Sequence, residues 1–259
     1  MKISIIGAGV SGQGLALLAH ELGAEVFVSE KKNISDDVKK LFAENKIAYE
    51  EGHSEKVFDG VDEILISSGI PPQSEILHEA EKRGVKITGE LDYAISHVKT
   101  QNLICVTGSN GKSTVTSLIG HILNKVGLKA GAGGNLGTAS STFTRENFDA
   151  VVLELSSFQL ARAKNNLHSK VAIITNLAPD HIDWHGSYEN YVEAKSRVLS
   201  LRDPEGWGII QSRDFDTLKP SGKIIVLSWE HENKSQIFMG ENEAELILDG
   251  VPQKLFAYD

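Results

Sequence analysis

Twice in this chain an apolar run of strand-forming residues breaks into glycines and resumes as a helical pattern. The first is "KISIIGAGVSGQG" from Lys2 and the second "NLICVTGSNGKST" from Asn102. A strand that turns directly into a helix is joined to the next strand by a crossover, and strands connected that way lie parallel in one sheet. The residues around each loop continue the pattern. "EVFVSE", "DEILISSG" and "VKITG" read as further strands of the first region, with helices in "LALLAHELG", "SDDVKKLFAENK", "SEILHEAEKRG" and "ELDYAISHV". Ser35 suits an N-cap with Asp36 and Asp37 in the first turn, and Gly23 and Gly84 suit helix ends.

The alternation restarts at the second loop. "DAVVLELSS" and "KVAIITN" read as strands and "SYENYVEAKSRVLSL" as an amphipathic helix; beyond Trp207 short strands take over, with Asp249-Gly250 as a hairpin turn. The spacing predicts an α/β chain in two parts. Residues 1–92 form a Rossmann-like domain, and residues 93–259 a P-loop-type domain with a mostly parallel sheet.

Bulk properties exclude several classes. The 259 residues are 41% hydrophobic and 24% charged, as in soluble globular proteins. No apolar run reaches the roughly 18 residues needed to span a bilayer, and the N-terminus has no signal-peptide pattern, so a cytoplasmic protein without a membrane partner is expected. The single Cys105 excludes a disulfide framework and sits in an apolar run, where it reads as a buried strand residue. A net charge of −9 without a long basic run argues against a nucleic-acid partner. An acidic protein can still hold phosphates through backbone N–H groups, a lysine and a divalent cation.

The first loop contains Gly7-x-Gly9-x-x-Gly12, and Glu30 ends the next strand, where an acid would meet a ribose hydroxyl. This spacing suits a dinucleotide. The loop itself requires only a phosphate at a helix N-terminus, so any nucleotide diphosphate would serve, and glycines also allow a plain tight turn. The second loop is more specific. Thr107 to Asn110 are small or polar, Gly111 permits close backbone approach, Lys112 can reach terminal phosphates and Ser113 offers a hydroxyl to Mg²⁺. Yet the usual leading glycine is missing: Val106 occupies its position, and the nearest glycine is Gly108.

Three clusters follow. In "LELSSFQL", Glu154 ends an apolar strand and emerges at the sheet edge where ligands bind, a candidate for Mg²⁺ or a solvated acid. In "TNLAPDHIDWHG", Asn176 is followed by Asp180, His181, Asp183 and His185, and a histidine there is a ligand, an orienting donor or a simple loop residue. Lys195 lies on a helix whose apolar face includes Tyr191, Val198 and Leu199; a lone helical lysine is ordinarily a solvated surface residue.

"TGSNGKST", "ELSSFQL", "NLAPDHIDWHG" and "YVEAK", in that order after a glycine loop, resemble the Mur ligases of bacterial cell-wall synthesis. The resemblance extends over residues 1 to about 230, and the shortened T-G-x-N-G-K-S/T loop is that superfamily's own form. It implies a Rossmann-like domain that holds the UDP of a nucleotide-sugar, with Gly7, Val10, Ser11 and Gly12 along the diphosphate and Glu30 and Lys31 near the uridine. Ser67 and Gly69, in a stretch where Ser68 replaces the family's proline, and Asn135 in "GGNLG" would also contact substrate. Gly108, Asn110, Gly111, Lys112, Ser113 and Thr114 would bind ATP. Ser113, Glu154, His181 and Lys195 would organise Mg²⁺, with Lys195 carrying a carbamate.

The ELSSFQL run is most similar to family members that add D-glutamate to UDP-N-acetylmuramoyl-L-alanine through an acyl phosphate in peptidoglycan precursor synthesis. A monomer is expected. The family's C-terminal domain is not in this sequence, so the chain is expected to bind substrate without completing ligation, and robust peptide-bond formation by it would refute that. Trp184 stands where relatives commonly have arginine. Two alternatives remain at this level: a non-catalytic nucleotide-sugar binding module, and an NAD-dependent oxidoreductase read from the first loop, which leaves the second unexplained.

Overall fold

The computed structural model describes residues 1–135, 139–164, 167–229, 237–239, 243–248 and 251–257. The chain divides into two compact units, one comprising Met1–Thr100, Gly133–Phe148 and Arg162–Asn165, the other Gln101–Ala132, Asp149–Ala161 and Asn166–Asp259.

In the first unit, β1 (Lys2–Ile6), β2 (Glu25–Glu30), β3 (Ala48–Glu51), β4 (Glu63–Ile66) and β5 (Lys86–Gly89) form a sheet. Their order is β3-β2-β1-β4-β5 and every pair is parallel. The crossovers carry α1 (Val10–Glu21), α2 (Asp36–Glu44) and α3 (Glu75–Lys82), and α4 (Glu90–Ile95) follows β5. Because successive strand residues face opposite sides, β1 feeds two cores. Ile3 and Ile5 pack with Leu15, Val28, Phe42 and Leu65 on one face, while Ile6 joins Ile64, Ile66 and Leu77 on the other. This is why β1, past Lys2, is apolar on both faces apart from buried Ser4, as expected for parallel sheets covered on both faces.

The helix ends follow the sequence in most respects. Gly23 and Gly84 adopt φ of +85° and +68° just past α1 and α3. Ser35 is the N-cap residue of α2 with extended backbone, but its hydroxyl makes no capping bond, leaving the acids Asp36 and Asp37 to favour that end. The sequence reading contained no counterpart of β3. Its residues Ala-Tyr-Glu-Glu are mostly exposed, because an edge strand needs only one partner and one covered face.

The second unit contains β6 (Leu103–Thr107), α5 (Lys112–Lys125), β7 (Ala130–Gly134), β8 (Ala150–Glu154), α6 (Ser157–Arg162), β9 (Val171–Ile174), α7 (Ile182–His185) and α8 (Tyr188–Ser200). After these come β10 (Trp207–Gln211), α9 (Phe215–Leu218), β11 (Ile224–Ser228), β12 (Ile237–Met239), β13 (Glu243–Leu248) and β14 (Val251–Ala257). The sheet order is β14-β13-β12-β11-β10-β9-β6-β8-β7. From β8 to β12 the neighbours run parallel, and β12, β13 and β14 are antiparallel, so the sheet is mostly parallel. The expected Asp249-Gly250 turn lies outside the described residues. Cys105 is fully buried in β6, and burial pushes its thiol up to about 12. No helix among the described residues is long and apolar enough to cross a membrane.

The sequence order of the second sheet reverses around β6, with β8 on one side and β9 on the other. In open α/β sheets the crevice outside the carboxyl ends at such a reversal is where ligands bind. The first sheet has the same reversal around β1.

Phe42 is fully buried. Phe42→Ala should lower the unfolding free energy by about 3–5 kcal/mol, seen in urea unfolding as a lower midpoint with an unchanged slope.

Candidate active site

Val106, in β6, pairs with Glu154 at the end of β8, so the chain leaves β6 beside that carboxylate. Two glycines shape the turn that follows. Gly111 is the N-cap of α5 at φ +78°, and Gly108 has φ +145°. A β-carbon on Gly108 would fall on the Thr175 hydroxyl, so loop and β9 approach too closely for any side chain there. The end of β9 supports the loop from below. Ser109 N–H donates to the Asn176 carbonyl (2.9 Å) and Asn110 N–H to Asn176 Oδ1 (3.1 Å). In return, the Thr175 hydroxyl and the Asn176 amide donate to the Asn110 carbonyl at 2.6 and 2.8 Å.

The candidate side chains gather around this loop. The Ser113 hydroxyl, in the first turn of α5, donates to Glu154 Oε2 at 2.7 Å, and Glu154 is 2% exposed. Lys112 Nζ donates to the Ser109 carbonyl at 3.0 Å, folding back over its own loop. Thr114 is exposed. Lys195 is not the surface residue that a lone helical lysine usually is. It is 2% exposed, and its Nζ donates to the Gly108 carbonyl at 2.7 Å and lies 3.4 Å from Thr107 Oγ1. Burial, reinforced by the charge of Lys112 and opposed by Asp180 and Glu154, lowers its pKa from 10.5 to about 7.

One turn earlier on α8, the Tyr191 hydroxyl lies 2.8 Å from Ser109 Oγ, which also accepts from Ala178 N–H at 2.8 Å. Tyr191, Lys195, Val198 and Leu199 are all buried and share one helix face. The signal was therefore present in the spacing: Lys195 occupies an apolar-face position. Nothing in the sequence marked Tyr191 and Ser109 as partners, because their contact is long-range.

His181 stands apart from this group. It is half-exposed, adopts φ +50° ahead of α7, packs its ring 4.8 Å from that of Phe158, and has its Nε2 3.4 Å from Asp180. The buried histidine of this segment is His185, whose Nε2 lies 2.9 Å from Ser157 Oγ. Burial, together with the charges of His181 and Lys195, lowers its pKa. No three His, Cys, Asp or Glu residues converge as a metal site among the described residues. The oxygen pair of Ser113 and Glu154 suits Mg²⁺, which takes few protein ligands and completes its shell with water and phosphate oxygens.

In the first unit, Gly7 (φ +100°) ends β1 and Gly9 is the N-cap of α1, with Val10 and Ser11 opening the helix. A β-carbon on Gly12 would collide with the Gly7 carbonyl. The Ser67 hydroxyl is buried next to both glycines and has no hydrogen-bond partner. Gly69 is exposed in the turn after it. Glu30 does not project freely: its carboxylate accepts from Ala8 N–H (2.8 Å) and Lys32 N–H (3.0 Å). Lys31 is exposed, as is Asn135 after β7.

The chain matches the Mur ligase middle domain over residues 106–256 and the MurD N-terminal domain over residues 2–76. Among curated proteins it is 35% identical to the UDP-N-acetylmuramoylalanine–D-glutamate ligase of Thermotoga sp. (strain RQ2), over 96% of this chain and 57% of that protein. With the Bacteroides fragilis (strain YCH46) ligase of the same name it shares 39% identity, over 79% of this chain and 46% of that one. The chain spans about half the length of the curated relatives it matches. Among solved structures, its fold is similar to that of the UDP-N-acetylmuramate:L-alanyl-γ-D-glutamyl-meso-diaminopimelate ligase of Neisseria meningitides. That match has a TM-score of 0.66 at 18% identity and covers 97% of this chain and 85% of that one. The UDP-N-acetylmuramate–alanine ligase of Thermotoga maritima gives a TM-score of 0.56 at 19% identity, covering 98% of this chain and 60% of that one.

Lys195 ties stability to pH. Below about pH 7 the fold must bury an ammonium, and that cost fades as pH rises towards the ordinary value of 10.5. Lys195→Met should therefore raise the unfolding free energy near pH 6, by on the order of a few kcal/mol. The gain should shrink towards pH 10 in urea unfolding series; a gain that grows with pH would contradict the buried-amine account.

Proposed function

Since the chain belongs to the Mur ligase family, we propose that it carries the nucleotide-sugar- and ATP-binding parts of an amide ligase that joins D-glutamate to UDP-N-acetylmuramoyl-L-alanine. The observation that carries this reading is the convergence of Lys112, the Ser113–Glu154 pair and buried Lys195 on one shortened phosphate loop. The names of the relatives support the choice of substrates, and the MurD N-terminal match supports a UDP-linked substrate on the first unit.

A carboxylate is a poor electrophile, so the alanine carboxylate must first be activated. One of its oxygens attacks the terminal phosphorus of ATP, the bond to ADP breaks, and an acyl phosphate forms. The D-glutamate amine then attacks the acyl carbon, and inorganic phosphate leaves with the former carboxylate oxygen. The chain's part is to position and neutralise. Lys112 exchanges the Ser109 carbonyl for a phosphate oxygen, and the N-terminus of α5 faces the same anion. Ser113 and Glu154 would hold Mg²⁺, which supplies positive charge against the phosphoryl oxygens when bound. No protein nucleophile is required, and buried Cys105 is not suited to be one.

With a pKa near 7, Lys195 offers a neutral amine at physiological pH. Its nitrogen adds to CO₂, forming a C–N bond and releasing a proton, and the resulting carbamate converts a cation beneath the loop into an acidic oxygen ligand.

Two outcomes test the reading. UDP-N-acetylmuramoyl-L-alanine should raise the melting temperature of the chain while NADH leaves it unchanged; stabilisation by NADH alone would sink the ligase assignment in favour of a dinucleotide enzyme. Lys112→Ala should weaken ATP binding about tenfold to a hundredfold, the worth of a charge-assisted hydrogen bond, in calorimetric titration with Mg²⁺ present.

A further inference from the structure

Arg162 closes α6 and belongs to the first unit, where a β-carbon on Gly89, the last residue of β5, would lie 3.7 Å from the Arg162 Cβ. From there the side chain crosses to the turn after β4, and its Nη2 donates to the Ile70 carbonyl. Its Nε is sealed from solvent without an acceptor. Nη1 has no acceptor among the described residues either, but it is not sealed. No carboxylate of the described residues pairs with the guanidinium. Asp92, on α4, turns instead to the Lys164 N–H, which donates to its Oδ2 at 2.9 Å. Burial lowers the Arg162 pKa with no acid opposing it, and a guanidinium, so far from neutral pH, stays charged.

Burying a charge is costly unless something of opposite sign meets it. The last turn of a helix favours a cation, but α6 has only six residues and its carbonyl end carries a partial charge. The neutral Ile70 carbonyl does not balance a guanidinium either. The turn it belongs to carries a second unmet donor. Ile70 N–H closes that turn on the Ser67 carbonyl at 3.2 Å, and the Ser67 hydroxyl, at the other end, is buried without a partner. Each end of Ser67–Ile70 thus has a donor with nothing to donate to. Both residues also border the glycine turn: the position of a β-carbon on Gly7 is 2.9 Å from Ser67 Oγ and 3.6 Å from Ile70 Cδ1.

We propose that Arg162 binds the diphosphate of the nucleotide-sugar, adding positive charge to a glycine turn that has none between Gly7 and Gly12. The assignment rests on the reading of this unit as the UDP-binding part, and it adds a residue from outside both the glycine turn and the Ser67–Gly69 stretch. A phosphate group is charged and accepts several hydrogen bonds, so one ligand group meets both unmet donors. The open end of the guanidinium offers N–H groups in a planar fork, which suits phosphate oxygens.

The test is calorimetric titration of the full chain with UDP and with UDP-N-acetylmuramoyl-L-alanine. Arg162→Gln should weaken both by the same factor, about tenfold to a hundredfold, the worth of a charge-assisted hydrogen bond. Its UDP affinity should also fall less steeply with added salt than that of the wild type. Arg162→Lys keeps the charge without the fork and should recover part of the loss. An arginine with a purely structural role would destabilise the free chain when truncated. Arg162→Met should instead leave the ligand-free melting temperature no lower and shrink the rise that UDP produces. A lower melting temperature with an undiminished UDP response would overturn the proposal. Wild-type UDP affinity in Arg162→Gln, or a loss confined to UDP-N-acetylmuramoyl-L-alanine, would overturn the diphosphate assignment and leave the UDP reading standing. The second of these would give the guanidinium to the alanyl carboxylate. A wild-type chain that binds neither ligand would overturn both.

Discussion

The bond from the Lys195 amine to the Gly108 carbonyl is the constraint on which the second unit's site depends. Gly108 turns in a left-handed conformation against β9, which aims its carbonyl inward, away from water. A buried carbonyl without a donor would be costly, and a buried ammonium without a partner more so. The two costs offset one another, and the remaining penalty is relieved by lowering the lysine pKa. Helix α8 thereby holds the phosphate loop at two successive points, Lys195 on Gly108 and Tyr191 on Ser109. The loop's shape is set as much by this helix and the end of β9 as by its own glycines.

Sequence made the central strands and the loop chemistry legible, because both are local. Apolar runs such as Ala150 to Leu153 are continuous since the strand is covered on both faces, and Ile3 to Ile6 is broken only by buried Ser4. Gly111-Lys112-Ser113 declares itself by residue type, and Glu154 by ending a strand. Two edge strands were not legible: β3 is polar and β7 is Ala-Gly-Ala-Gly-Gly, and neither shows an alternation of apolar residues. Helix α7 is a single turn, too short for periodicity to reveal that His185 faces inwards and His181 outwards. Lys195 was readable in hindsight, by its position on the face of Tyr191, Val198 and Leu199. The links from Ser109 to Tyr191 and from Arg162 to Ile70 join residues whose proximity only the fold creates.

The two units solve one problem with different residues. Each runs a central parallel strand into a glycine turn and a helix N-terminus, at the point where strand order reverses. The second adds a lysine and a hydroxyl–carboxylate pair, which suit a highly charged triphosphate and its cation. In the first, no lysine and no such pair belongs to the glycine turn itself, Gly7 to Gly12. Its loop is braced by Glu30, whose carboxylate is occupied by two backbone N–H groups.

The buried Ser67 hydroxyl, next to Gly7 and Gly12 without a hydrogen-bond partner, gives the free first unit a built-in imperfection. An unmet hydroxyl of this kind costs about 1–3 kcal/mol. On the proposed reading of this unit as the UDP-binding part, a phosphate oxygen in the adjacent turn would accept its proton, and the defect of the empty fold becomes an asset of the filled one. Selection for a sturdier free protein and selection for a better host act in opposite directions at this one oxygen. Removing it, as in Ser67→Ala, would make the resting molecule firmer and, on the proposed reading, the loaded one looser.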